Sequence, residues 1–257
     1  PTLQPFIGTL FVDANRLSDA DLGKITIGGE VTESIEILDD SRLAGQSIAL
    51  ASTGGILMKQ GAHIRGTGDR GVVKIVSGGP LELEQGAGIY SDYELDIDAG
   101  ALIRNGTIFS RKILGLTSDS LYLTDVHDNL SEDHGMVVDA SFWDRFSEPG
   151  PGPVKLGGLE VIRLTGRDKI GFAGDISLHA PRAALVIDTP LVADVSLTKA
   201  GVDITAKEAL LYNSVDETNM VLVKQVVKVP VETLPSIIAA ANPNTVVDVS
   251  QKEFNEV

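Results

Sequence analysis

Imidazole and carboxylate side chains crowd one stretch of this 257-residue chain. Asp125, His127, Asp128, Glu132, Asp133, His134 and Asp139 follow in quick succession, and two of the four histidines lie among them. Nitrogen and oxygen donors of these types could hold Ca2+ or another divalent metal. The spacing matches no compact ligand motif, and a solvated acidic loop has the same composition. Asp125, His127, Asp128 and His134 are therefore the metal-ligand candidates. Just beyond them stand Phe142, Trp143 and Phe146, which include the only tryptophan. Aromatic rings on a surface loop stack on sugar rings or anchor a protein partner. The competing reading folds them back over a face or lip of the core.

The elements that must position these groups show in the stretch before them. Between Leu81 and Leu123 short apolar-x-apolar triplets alternate with Gly and polar corners. The beats recur nineteen places on: Leu83 to Leu102 to Leu121, Ile89 to Ile108, Leu95 to Leu114, Ile97 to Leu116. Alternation within a triplet is that of a strand with one face inward, and a fixed period near twenty marks a solenoid. One coil buries too little apolar surface to stand alone, so the coils must stack. The expected fold is all-β, a right-handed parallel β-helix of about 19 residues per coil. The same spacing links Ile37, Ile56 and Ile75, then Ile64 and Leu83. Past the polar stretch it links Leu159, Leu178 and Leu197, then Phe172, Leu191 and Leu210.

This ruler divides the chain. Residues 1–22 read as a lead-in strand or cap, 23–212 as the β-helix, and about 125–153 as a loop inserted at a corner, where repeats tolerate extra residues. Residues 213–257 read as a cap or an assembly tail, with a helix expected near 231–241. Val221, Val223, Val227 and Val229 are the residues expected to pair, because an open sheet end must be covered or it will join another chain.

Two further chemistries need carboxylates stacked from coil to coil. Calcium between coils would put acidic residues nineteen apart, yet opposite charges take that spacing more often, as in Asp40 with Lys59 and Asp92 with Arg111. Glycosidic cleavage needs two or three converging acids. Asp92, Asp96 and Asp98 lie close together, but Gly115 and Thr117 follow Asp96 and Asp98 at the coil period, so no acidic groove builds up. No Ser-His-Asp set or phosphate-binding glycine loop stands out.

The formal net charge of -15 argues against duplex nucleic acid, which calls for basic stripes. No apolar run approaches membrane-spanning length. The absence of cysteine fits a secreted bacterial protein and a cytosolic one alike. Pro1 reads as the start of a processed or excised stretch.

From Gly88 to Leu121 the chain carries Gly-Ala-Gly-Ile, Leu-Asp-Ile-Asp-Ala-Gly-Ala-Leu-Ile, Asn-Gly-Thr-Ile and Leu-Thr-Ser-Asp-Ser-Leu. This run resembles the coil repeats of the filamentous haemagglutinin family of two-partner secretion exoproteins. The resemblance implies a secreted or bacterial cell-surface structural protein serving adhesion or matrix building. Such a rod would join copies of itself or related surface proteins, or bind glycans, and would do no catalysis and need no cofactor. The alternative is a β-helix lyase or hydrolase acting on acidic polysaccharides.

Overall fold

Aliphatic residues at every second position, bounded by Gly and polar corners, give short strands with one buried face, and the strands wind into a parallel β-solenoid of about seven turns. The structure, a computed structural model, describes residues 10–125, 135–143, 146, 158–195 and 201–213, with Asp194, 221–223 and 246–247 described by backbone alone.

A short helix, α1 (Ala14–Asp19), precedes the first coil, which holds β1 (Lys24–Gly28), β2 (Ile35–Ile37) and β3 (Arg42–Gly45). The second coil holds β4 (Ser47–Ser52), β5 (Ile56–Met58) and β6 (His63–Gly66). From there the first two sides merge into long bent strands. β7 (Val72–Leu83) is followed by β8 (Gly88–Ser91), and β9 (Glu94–Arg104) by β10 (Thr107–Ser110). β11 (Ile113–Thr124) leads to β12 (Met136–Asp139) and α2 (Ala140–Trp143). β13 (Val161–Ala173), β14 (Ile176–Asp188), β15 (Val192–Asp194) and β16 (Val202–Tyr212) complete the coils, and β17 (Val221–Val223) and β18 (Val246–Val247) close the far end.

On the first side, facing residues form unbroken columns. Ile25, Ile48, Val73, Leu95, Leu114, Ile162, Leu185 and Ala209 lie opposite one another in turn, and all are buried. Ile27, Leu50, Ile75, Ile97, Leu116, Leu164, Ile187 and Leu211 make the neighbouring column. The third side aligns Leu43, Ile64, Ile89 and Ile108.

The coil length corrects the expected period. A turn takes roughly 23 residues. Nineteen holds in one place, where β9 faces β11 and β8 faces β10. Elsewhere Ile25 faces Ile48, Ile48 faces Val73 and Leu178 faces Ile204. The column expected through Leu83, Leu102 and Leu121 is not one column: Leu81 faces Leu102, Leu83 faces Arg104, and Leu121 faces Ile170 and Met136. Corners of unequal length lie behind this. A single residue, Gln46, separates β3 from β4, whereas Thr67 to Gly71 separate β6 from β7.

The lead-in contains a helix, and Leu10, Phe11 and Val12 are exposed outside any strand. At the far end β17 runs antiparallel to β16 of the same chain, with Val223 facing Ala209 and Val221 facing Leu211, and β18 lies beyond it. The strand of Val221 and Val223 thus covers the last coil. Val227, Val229 and the helix expected near 231–241 lie outside the described residues. Among the described residues, no helix is long and apolar enough to cross a membrane.

Candidate functional site

The interruption after β11 is more than a loop at a corner. β11 keeps β9 on one edge over Ile113–Thr117, but over Leu121–Thr124 that edge is taken by β12, which follows it in sequence. The opposite edge pairs with β13 throughout. The inserted segment therefore lays a strand into the second side, out of chain order, between the rows of Leu102 and Leu121. Among the described residues the third side parts at the same level: its four-stranded sheet ends at β10, and strand pairing resumes with the first halves of β14 and β16.

Phe142, Trp143 and Phe146 fill this seam. All three are buried in the core, at 3%, 6% and 2% exposure. Phe146 stacks on Phe109 of β10 with centroids 5.7 Å apart, and Phe142 meets Trp143 edge-on at 5.1 Å. Arg104, at the register where an aliphatic would continue the column of Ile37, Met58 and Leu83, lies over the Phe142 ring at 5.6 Å. It donates to Ser141 Oγ at 2.7 Å and pairs with Asp139 at 3.5 Å. Asp139 also accepts the Phe142 backbone N–H at 2.9 Å and so starts α2. The expected aromatic contact surface is thus corrected: rings this buried cannot stack on a sugar.

Of the metal-ligand candidates, His127, Asp128 and His134 lie outside the described residues. Asp125 is spent on structure. Its Oδ2 accepts the Asp175 N–H at 3.2 Å, and Gly174 (φ +79) leaves it room, since a Cβ there would stand 2.1 Å from Oδ1. Among the described residues, no group of three or more His, Cys, Asp or Glu side chains could hold a metal ion.

The densest described chemistry lies on the outer face of the first side. Asp96, Gly115 and Arg163 occupy one row across β9, β11 and β13. Arg163 spans two strand spacings, roughly 9.6 Å, to reach Asp96 at 3.1 Å, and it also bonds Glu94. Glycine at 115 makes this passage, because a Cβ there would lie 2.1 Å from Asp96 Oδ1. Farther along the same strands, Arg167 of β13 bonds Asp98 of β9 and reaches Asp119 of β11 at 3.1 Å. Burial raises the Asp96 pKa above the usual carboxylate value, the Arg163 guanidinium pulls it down, and the Glu94 charge raises it again. The Arg167 guanidinium is raised through its bond to Asp98.

Other coils are laced in the same way. Lys59 bridges Glu36 at 3.8 Å and Glu84 at 3.2 Å, Arg65 meets Asp92 at 3.2 Å, and Lys112 bonds Glu160. The partners are not those expected nineteen residues apart, because the coils are longer, but the rule of opposite charges across coils holds for these pairs.

A second lacing was missed in the sequence. Ser77 donates to the Gly54 carbonyl at 2.9 Å with the Pro80 carbonyl at 3.2 Å, and Ser91 donates to the Gly71 carbonyl at 2.6 Å with that of Glu94 at 2.8 Å. Ser110 donates to the Ile113 carbonyl at 2.6 Å. Ser52 faces Ser77 and Ser91 faces Ser110, each at a corner three residues before the next wall. A serine closing an apolar beat was the available signal. Among the described residues, every buried side-chain nitrogen and oxygen has a hydrogen-bond partner.

A groove of about 230 Å3 crosses the second side over Gly55, between Glu36 and Glu82. It is smaller than the ~300 Å3 at which small-molecule sites begin. No family model, curated protein or solved structure matches the chain.

Proposed function

We propose that the protein is an extracellular or bacterial cell-surface structural protein, an adhesive β-solenoid rod that works through its extended surface and its ends. One observation carries the reading: the surface charges of neighbouring coils are used against each other, Arg163 on Glu94 and Asp96, Arg167 on Asp98 and Asp119, Lys59 on Glu36 and Glu84. Carboxylates held this way are committed to holding coils in register. The likeness of Gly88 to Leu121 to filamentous haemagglutinin coils points the same way, toward surface proteins, glycans or further copies as partners. Negative-stain images of the purified protein test it. Rods or filaments that coat a glycan or cell surface support the reading; compact particles that bind neither overturn it.

A second reading has one observation in its favour. Asp96 and Glu94 share Arg163 on the outer face, with burial raising the Asp96 pKa and Arg163 lowering it, and neighbouring carboxylates are the groups an acidic-polysaccharide hydrolase or lyase would need. New reducing or unsaturated ends after incubation with such a polysaccharide, lost in Asp96→Asn, would establish that activity.

A further inference from the structure

The two ends of the solenoid are finished differently. At the C-terminal end β17 lies along the edge of β16. At the N-terminal end α1 covers one side alone: Asn15 Oδ1 accepts the Arg42 N–H at 3.2 Å, and Ser18 Oγ accepts the Ala44 N–H at 2.8 Å, so the edge of β3 is satisfied. β1 pairs only with β4, and β2 only with β5, among the described residues. Among the described residues nothing pairs with their outer edges, and an unpaired strand edge is how a sheet accepts another strand.

The side chains there point to a partner too. Of the seven large exposed hydrophobic residues among those described, six lie at this end: Leu10, Phe11, Val12, Leu22, Val31 and Leu38, with Val31 at 85%. Residues 10–40 carry eight acidic side chains against two basic ones. One coil further in, Lys59 stands between Glu36 and Glu84 and pairs with both. At the corner between β1 and β2, Glu30 and Glu33 are exposed and make no ion pair among the described residues. The next coil sets only uncharged Thr53 and Gly54 against this corner, so lysine or arginine from outside is the complement these two carboxylates lack.

We propose that the open edges of β1 and β2 dock a basic extended segment of a partner protein, which adds as a strand and sets its cationic side chains against Glu30 and Glu33. A second copy set head to head does not fit this place, because two such ends would bring acid to acid. The inference rests on the reading of the protein as one member of a surface assembly and names the chemistry of its neighbour.

Three synthetic peptides test it on the full chain: alternating Val-Lys, Val-Glu and Val-Thr, followed by fluorescence anisotropy and amide hydrogen exchange. The expected result is binding of Val-Lys alone, with new protection confined to residues 24–37. Affinity should fall about tenfold in the double variant Glu30→Gln/Glu33→Gln and fall again with added salt. Binding that ignores the double variant, or protection elsewhere, overturns the proposal. So do β1 and β2 amides already protected in the free protein, which would mean that this chain covers its own edge, and concentration-dependent dimers that protect the same amides, which would make a second copy the occupant. Rods in the images together with no Val-Lys binding would sink this inference and leave the structural reading intact.

Discussion

Arg163 reaches Asp96 because position 115 between them carries no side chain, and that makes Gly115 the most exacting residue on this face. In Gly115→Ala the new methyl must displace a carboxylate oxygen 2.1 Å away. The expected loss of stability is about 1–3 kcal/mol, read from urea unfolding, and Gly115→Ala/Asp96→Ser should recover part of it by vacating the space. Asp96 also sets a pH dependence. Its folded pKa lies above the value of an unfolded aspartate, about 3.9, chiefly through burial. Its contribution is fully present below the unfolded value and is lost as pH rises through the raised folded one. Asp96→Asn, which leaves Arg163 its bond to Glu94, should therefore gain melting temperature relative to the parent at pH ~7 and lose that advantage near pH ~3.5. An equal difference at both pH values would contradict the assignment. Gly115 could be read in the sequence as the residue following Asp96 by one coil; that an arginine two strands away would use the opening could not, because the insertion hides the register between β11 and β13.

At the scale of elements, the wedge formed by β12 and α2 replaces wall that the regular winding fails to supply. Phe146→Ala should cost about 3–5 kcal/mol, measured by denaturant unfolding, whereas an exposed contact ring would cost almost nothing. Strand composition and the location of the interruption were legible in the sequence, because apolar alternation stops after Thr124 and resumes at Val161. The folding back of the rings over the core was one of the two readings the sequence offered; the ring they would meet was not legible. Phe109, the ring that Phe146 stacks on, looks like an ordinary outward position of a coil strand, and nothing in its spacing marks it for a partner 37 residues on. The tail makes a parallel case. A run of valines at 221–229 suits a cap and a donated strand equally, and the antiparallel pairing of β17 with β16 favours the cap. Removing 214–257 should therefore uncover the β16 edge and produce concentration-dependent association in light scattering. A truncated chain that stays monomeric would show that the edge needs no cover.

Over the whole molecule, about seven turns stand roughly 34 Å tall at ~4.8 Å per strand spacing, so any longer fibre requires contacts at the ends. The period was the least legible quantity, for a physical reason. Strands with an aliphatic at every second position offer matches to many rulers, and nineteen is the true spacing only from β8 and β9 to β10 and β11. Stacked coils couple mainly to their neighbours, so stability is a sum of coil and interface contributions. The interface at the seam departs from the pattern among the described residues: its first side is a continuous ladder from β9 through β11 to β13, its second side carries β12, and on its third side Phe146 stacks on Phe109 of β10. Weakening the rings should uncouple the two halves while leaving the columns within each half intact. In Phe146→Ala, hydrogen exchange at intermediate urea should then give two transitions, with β13, β14 and β16 separating from β4, β7 and β9, where the parent gives one. Because Ile48 to Leu95 on one side of the seam and Ile162 to Ala209 on the other keep their own burial, loss of all strands together in the variant would mean that the first-side ladder alone couples the halves.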